Sequence, residues 1–189
     1  GELFDVGDPH VDVDYKLFES KGYDPEFFFI EDNTVVDGTC LQDERYWDIE
    51  KVRGWINTEP LEMPDDLCVI NFRGGEYSGF PDLFLTKKYW DESINLMKSR
   101  YPGIKFVVHT DDHETASKFF QYQTISNIGY NWRSIRYAKH LILSNSSFGI
   151  LPALLNENVK EVIAPRYWAR RNTGVWALPQ NYYKKFTYF

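Results

Sequence analysis

The stretch Cys68–Gly79, CVINFRGGEYSG, places one arginine, two glycines, an acid and a tyrosine directly after an apolar run. A guanidinium is a planar fork that can grip two phosphate oxygens at once. Glycines on either side of such a contact let the backbone come close to a ligand. Arg73, followed by Gly74 and Gly75, therefore reads as a phosphate clamp, with an ordinary glycine turn carrying a surface arginine as the competing reading. Neither G-x-G-x-x-G nor a Gly-Lys-Ser/Thr ending follows, so the stretch is not a dinucleotide fingerprint or a P-loop.

Two more stretches carry usable chemistry. SNSSFG (144–149) precedes an apolar helical segment, ILPALLNE (150–157), whose Pro152 suits a first turn. Hydroxyls and free N–H groups at such a helix start bind anions, and Ser146 or Ser147 could equally be a plain N-cap. HTDDHE (109–114) offers Asp111 and Asp112 as acceptors for a base edge or a ribose hydroxyl, or as a helix cap. A metal site from Asp111, Asp112 and His113 is the weaker reading, because no further ligand motif accompanies them. The histidines share no spacing and no G-x-S-x-G elbow is present, so a Ser–His–Asp triad has no support. Trp168 and Trp176 could stack on a sugar.

These residues need elements to hold them. Strands are expected at 67–72, 104–110, 122–128, 140–145 and 160–165, with helices at 87–100, 113–120, 131–139 and 150–157. Such alternation predicts an α/β fold: a doubly wound, parallel, Rossmann-like sheet of about five strands. The stretches above then fall at strand carboxyl ends, where open α/β sheets bind ligands. Residues 1–60 read as a small N-terminal α/β appendage, with FFFI (27–30) as a strand and an amphipathic helix over 43–56. Residues 61–189 read as the main domain, its aromatic tail a loop and helix folding back, or a partly ordered end.

The 189 residues are 43% hydrophobic and 17% aromatic, enough for one substantial core. A net charge of −7 and a pI of about 5.1 argue against nucleic acid or an anionic membrane as the main partner. Cys40 and Cys68 form no disulfide or zinc pattern. No apolar run reaches the roughly 18–20 residues of a membrane span and no secretory signal opens the chain, so a cytoplasmic protein without a transmembrane segment is expected. The opening Gly1-Glu2-Leu3 lacks a methionine and suits a fragment of a longer parent chain.

The order strand–Arg–Gly–acid–Tyr, then TDD, then SNSSF before a helix, then VIAPRYW, resembles the fucosyltransferases with an H-x-R-R-G-D-like motif. It is most similar to the α-1,2-fucosyltransferase family. DGTCLQDERYW (37–47) also resembles the segment that these enzymes carry before the strand, so the likeness spans about residues 37–168. The resemblance implies the C-terminal half of a GT-B-like glycosyltransferase, working by inversion, without a metal or other cofactor, on a nucleotide sugar. GDP-fucose is the implied donor and a glycan hydroxyl the acceptor; UDP- or dTDP-rhamnose, a xylose donor, or a non-catalytic binding domain are the alternatives. By position, Arg73 matches the arginine that grips the donor pyrophosphate, Ser146 and Ser147 the phosphate-binding turn, and Asp111 or Asp112 the acid that contacts the base. Asn71, Gly74, Gly75, Asn145 and Phe148 complete the expected donor site, and Glu76 is the candidate general base beside Arg73. Asn71, Gly74 and Glu76 replace the family's histidine, second arginine and aspartate, and SFGILPAL replaces SFSWWGAW. The reduced acceptor side would be completed by a second copy or an additional domain.

Overall fold

The computed structural model describes residues 16–20, 24–38, 46–56, 58–170, 176–179 and 186–189. The chain divides into two units with the boundary at Asp48 and Ile49. In the first, β1 (Lys16–Ser20) pairs in parallel with β2 (Thr34–Gly38). Between them lies a 3-10 turn, Pro25–Phe29, where the sequence suggests a strand. Asp24 accepts from the Glu26 N–H at 2.9 Å and Pro25 fixes the first turn. That capped, proline-led start overrides the β propensity of three phenylalanines. Phe27 packs edge-on against Tyr46, ring centres 4.8 Å apart.

The second unit opens with α1 (Ile49–Trp55), shorter than the helix expected over 43–56: residues 46–48 and 56 are described and not α-helical, and residues 43–45 lie outside the described residues. There follow β3 (Leu67–Phe72), α2 (Lys87–Arg100), β4 (Lys105–Thr110), α3 (His113–Phe119), β5 (Gln123–Ile125), α4 (Ile128–Tyr137), β6 (His140–Ile142), α5 (Ser147–Leu155) and β7 (Glu161–Ala164). β8 (Tyr167–Arg170) and β9 (Trp176–Pro179) form an antiparallel pair, and β10 (Phe186–Tyr188) ends the chain. The fold is α/β, with a six-stranded parallel sheet in the order β10-β7-β6-β3-β4-β5.

The sixth strand corrects the expected five, and the described residues of the tail form strands where a loop and helix are expected. Its three residues carry no apolar run of their own; β10 is recruited by the open edge of β7, with Phe186 opposite Val162 and Tyr188 opposite Ala164. The Arg166 N–H donates to the Phe189 carbonyl at 2.7 Å and holds the added strand in register. Helix starts also shift. Asn127 accepts the Tyr130 N–H at 2.8 Å and caps α4, which begins at Ile128, three residues before the expected start. Pro152 sits inside α5 rather than in its first turn, because the helix already begins at Ser147.

Residues Trp90, Ile94 and Met97 of α2 recur at helical spacing and bury one face against Phe72, Phe106 and Phe120. Phe72, the last residue of β3, has Trp90 at 5.4 Å and Phe119 at 5.3 Å between ring centres. That packing fixes the strand end from which Arg73 emerges. Among the described residues no helix is long and apolar enough to cross a membrane.

α5 lies tightly against β3. A Cβ on Gly149 would overlap Asn71 Oδ1 and come within 3.1 Å of its Cγ. Asn71 is buried and its Oδ1 accepts from Ser144 Oγ at 2.9 Å, so the carboxamide cannot swing aside without breaking that bond. Gly149→Ala is therefore expected to destabilise the protein by about 1–3 kcal/mol, although alanine is the better helix former. Urea denaturation should show the lowered midpoint.

Candidate functional site

A cleft of about 360 Å³ opens beyond the carboxyl ends of β3 and β4. Asn71, Phe72 and Arg73 enter it from β3; His109, Thr110 and Asp111 from β4; Ser126, Ile128 and Asn131 from the β5–α4 segment; and Phe148 from α5. Four of the sequence-expected residues, Asn71, Arg73, Asp111 and Phe148, thus line one cavity.

Arg73 is held rather than free. Its Nη1 pairs with Asp111 Oδ2 at 2.8 Å, its Nη2 lies 3.6 Å from Glu76 Oε1, and its Cζ stands 5.4 Å from the Tyr77 ring centre. Asp111 Oδ1 accepts the Gly74 N–H at 2.9 Å, so this carboxylate ties the arginine and its loop together. The two glycines serve the same packing. A Cβ on Gly74 would lie 2.9 Å from Asp112 Cβ, and one on Gly75 would lie 2.6 Å from Asp111 Oδ2. Arg73 Nε is buried without a hydrogen-bond partner among the described residues.

Asp112 is the helix cap. Its Oδ1 accepts the Thr115 N–H at 3.0 Å and its Oδ2 accepts from Thr115 Oγ1 at 2.5 Å, bonds that hold its carboxyl below the usual range. Both aspartates are thus engaged by the protein itself, Asp112 as a helix cap and Asp111 in the cavity wall, where its oxygens keep further acceptor capacity. His113 Nδ1 lies 2.7 Å from Thr124 Oγ1, so each side chain of the metal reading already has a protein partner. Asn145 Nδ2 donates to the Leu83 carbonyl at 2.9 Å, a structural tie rather than an open donor. Ser146 occupies the N-cap of α5 without capping through its side chain, and Ser147 begins the helix. The Gly149 N–H donates to the Ser146 carbonyl at 3.0 Å, so the Ser147 and Phe148 N–H groups are the ones the helix start offers, and the helix dipole favours an anion there. Glu76 starts a short 3-10 turn with its side chain largely exposed. The side chains of Trp168 and Trp176 lie outside the described residues.

Two cleft residues go beyond the sequence reading. His109 is 1% exposed and neither ring nitrogen has a hydrogen-bond partner among the described residues. Burial lowers its pKa to about 4, so the imidazole is neutral at ordinary pH. Asn131 is 5% exposed; its Nδ2 donates to the Ile125 carbonyl at 3.2 Å, and its Oδ1 has no partner among the described residues. Exposed Ile128 and Tyr130 flank them, Tyr130 with its ring centre 5.8 Å from that of His109. Unpaired buried polar groups cost roughly 1–3 kcal/mol each, and a ligand that pairs them recovers that energy. The signal for His109 is a polar residue closing an apolar strand, FVVHT. Asn131 becomes legible once α4 starts at Ile128, which puts it on one face with Ser134 and Ile135.

The chain matches no family model, no curated protein and no solved structure.

Proposed function

We propose that this chain is a glycosyltransferase that binds a nucleoside-diphosphate sugar in the cleft and transfers the glycosyl group, with inversion, onto a glycan hydroxyl. The observation that carries the reading is the convergence of unpartnered buried polar groups, on Arg73, His109 and Asn131, in one cavity at the strand carboxyl ends. Numbered along the chain, the central sheet runs 3-2-1-4-5-6 from its β5 edge to β10, the order of doubly wound nucleotide-binding sheets. That order supports a Rossmann-like, GT-B-like reading of the second unit. The resemblance brings GDP-fucose as donor; UDP- or dTDP-rhamnose and xylose donors are the other class served by the same chemistry. The working location on this reading is the cytoplasm, with a second copy or a further domain completing the acceptor side.

In the reaction, the acceptor oxygen forms a bond to the anomeric carbon as the bond to the nucleoside diphosphate breaks. The departing diphosphate gains negative charge, which on this reading Arg73 and the α5 N-terminus receive. Fixed donors aimed at a leaving group lower the barrier, and losing one costs about 10²–10³ in rate. The acceptor proton passes to a carboxylate, for which Glu76 is the candidate. Because Asp111, Asp112 and His113 are already engaged by Arg73, Thr115 and Thr124, transfer is expected to persist in EDTA. Loss of activity in EDTA that added divalent metal restores would instead make those three side chains ligands.

A second reading, nucleotide or glycan binding without catalysis, is favoured by one observation: Glu76 is 70% exposed, and the more sheltered Asp111 is bound to Arg73 and Gly74. Calorimetry against nucleoside diphosphates, followed by a transfer assay with glycan acceptors, separates the two. Nucleotide binding with turnover supports transfer; glycan binding without nucleotide binding supports the second reading.

A further inference from the structure

The groups around the cleft follow the order of the strands beneath them. Across the sheet β6, β3, β4 and β5 lie side by side. Beyond their carboxyl ends come the start of α5 at Ser146–Phe148, then Arg73–Gly75, then Asp111, then Ser126 and Ile128. A nucleoside diphosphate has a linear order of its own: phosphates, ribose, base. With its phosphates on Arg73 and the start of α5, the ribose comes next in the row, over β4 at Asp111, and the base falls towards Ser126 and Ile128.

The Asp111 carboxylate suits a pair of hydroxyls. Its Oδ1 accepts the Gly74 N–H at 2.9 Å and its Oδ2 pairs with Arg73 Nη1 at 2.8 Å, contacts that fix the group in place. A carboxylate has about four lone-pair sites, so each oxygen keeps capacity for a further donor. The side chain is 29% exposed and lines the cavity, so that capacity is open to a ligand. Two acceptors side by side match the two adjacent hydroxyls of a ribose, each donating one O–H. Doubly wound sheets that bind dinucleotides carry an acid that takes a ribose hydroxyl in this way. Asp111 is suitably placed: β3, which leads into the phosphate loop, is the first strand of the 3-2-1-4-5-6 order, and Asp111 follows β4, the second.

We infer that Asp111 reads the ribose, so that the cleft takes ribonucleoside diphosphates and discriminates against their 2′-deoxy forms. The inference rests on the nucleotide-sugar reading and narrows it: UDP- and GDP-linked donors qualify, and dTDP-linked donors do not. A hydroxyl bonded to a charged acceptor makes one of the stronger hydrogen bonds, and its loss costs at least about tenfold in affinity.

Calorimetric titration of the full chain with UDP, GDP and their 2′-deoxy counterparts, dUDP and dGDP, tests it. Each ribonucleotide that binds is expected to do so at least tenfold more tightly than its deoxy form. Asp111→Ala, its fold verified by its thermal transition, is expected to close that gap to less than about threefold. Deoxy forms that bind the parent as tightly as the ribonucleotides overturn the ribose assignment and leave the nucleotide reading standing. A gap that persists undiminished in the variant overturns the role of Asp111. Binding of none of the four overturns both the inference and the reading beneath it. Should Asp111→Ala fail to fold, Asp111→Asn keeps an acceptor for the Gly74 N–H and gives up the charge. That variant must shrink the gap at least about threefold; an unchanged gap again overturns the assignment.

Discussion

Arg73→Lys is expected to weaken nucleoside-diphosphate binding at least tenfold, about 1.4 kcal/mol. The guanidinium divides its donors, giving Nη1 to Asp111 at 2.8 Å while Nε remains unpaired and buried. A lysine has one compact ammonium group, which can pair with Asp111 or meet a phosphate but cannot hold both in the geometry of a fork. Neither Arg133, which donates to the carbonyls of Glu59 and Pro60, nor Arg136, which lies over Tyr137, is free to take over, and the residue after Arg73 is a glycine. A nucleoside monophosphate, lacking the second phosphate, should lose less. A surface arginine is the competing reading of the sequence, yet the Arg73 side chain is only 28% exposed and is anchored by Asp111. Because lysine keeps that ion pair, stability should stay within about 1 kcal/mol of the parent. Calorimetry and urea denaturation measure the two effects separately. Parent-like diphosphate binding would reduce Arg73 to a structural partner of Asp111.

The second large effect is on stability against pH. His109 has a pKa of about 4 in the folded protein and 6.5 as an ordinary histidine, lowered by burial. The unfolded chain therefore takes up a proton below pH 6.5 that the folded chain refuses until about pH 4. Stability is full above pH 6.5, falls as the pH drops through this window, and levels off below it, a loss of about 3 kcal/mol from this residue. Burial also lowers the pKa of His140, which adds a loss of the same sign. Urea denaturation between pH 7.5 and 4 should show a shallower decline in His109→Phe than in the parent. Identical slopes would mean that His109 titrates normally and is open to water.

Much of the parallel sheet is legible because buried parallel strands carry continuous apolar stretches, as LCVI in β3 and FVV in β4 do. β10 is not, because its pairing depends on the open edge of β7 rather than on its own residues. The 3-10 turn at Pro25–Phe29 hides behind three phenylalanines, since a local cap decides what propensity alone would assign differently. For the site, strand-end position brings out Arg73, Asp111 and Phe148 correctly as neighbours. It cannot say which acid bonds outward, and the tertiary contacts turn Asp111 to Arg73 and Asp112 to Thr115. Asn131 stays hidden for a different reason. Its role depends on the helical phase, and that phase is set by the Asn127 cap one turn earlier.

The central claim is that a nucleoside diphosphate sits beyond β3 and β4 with its phosphates on Arg73 and the start of α5. Titrating the ¹⁵N-labelled protein with UDP while following its backbone amides tests this residue by residue. The account predicts saturable shifts concentrated at Arg73–Gly75, His109–Asp111, Asn131 and Ser146–Phe148. Shifts that saturate elsewhere in the molecule, with these amides unmoved, would contradict it.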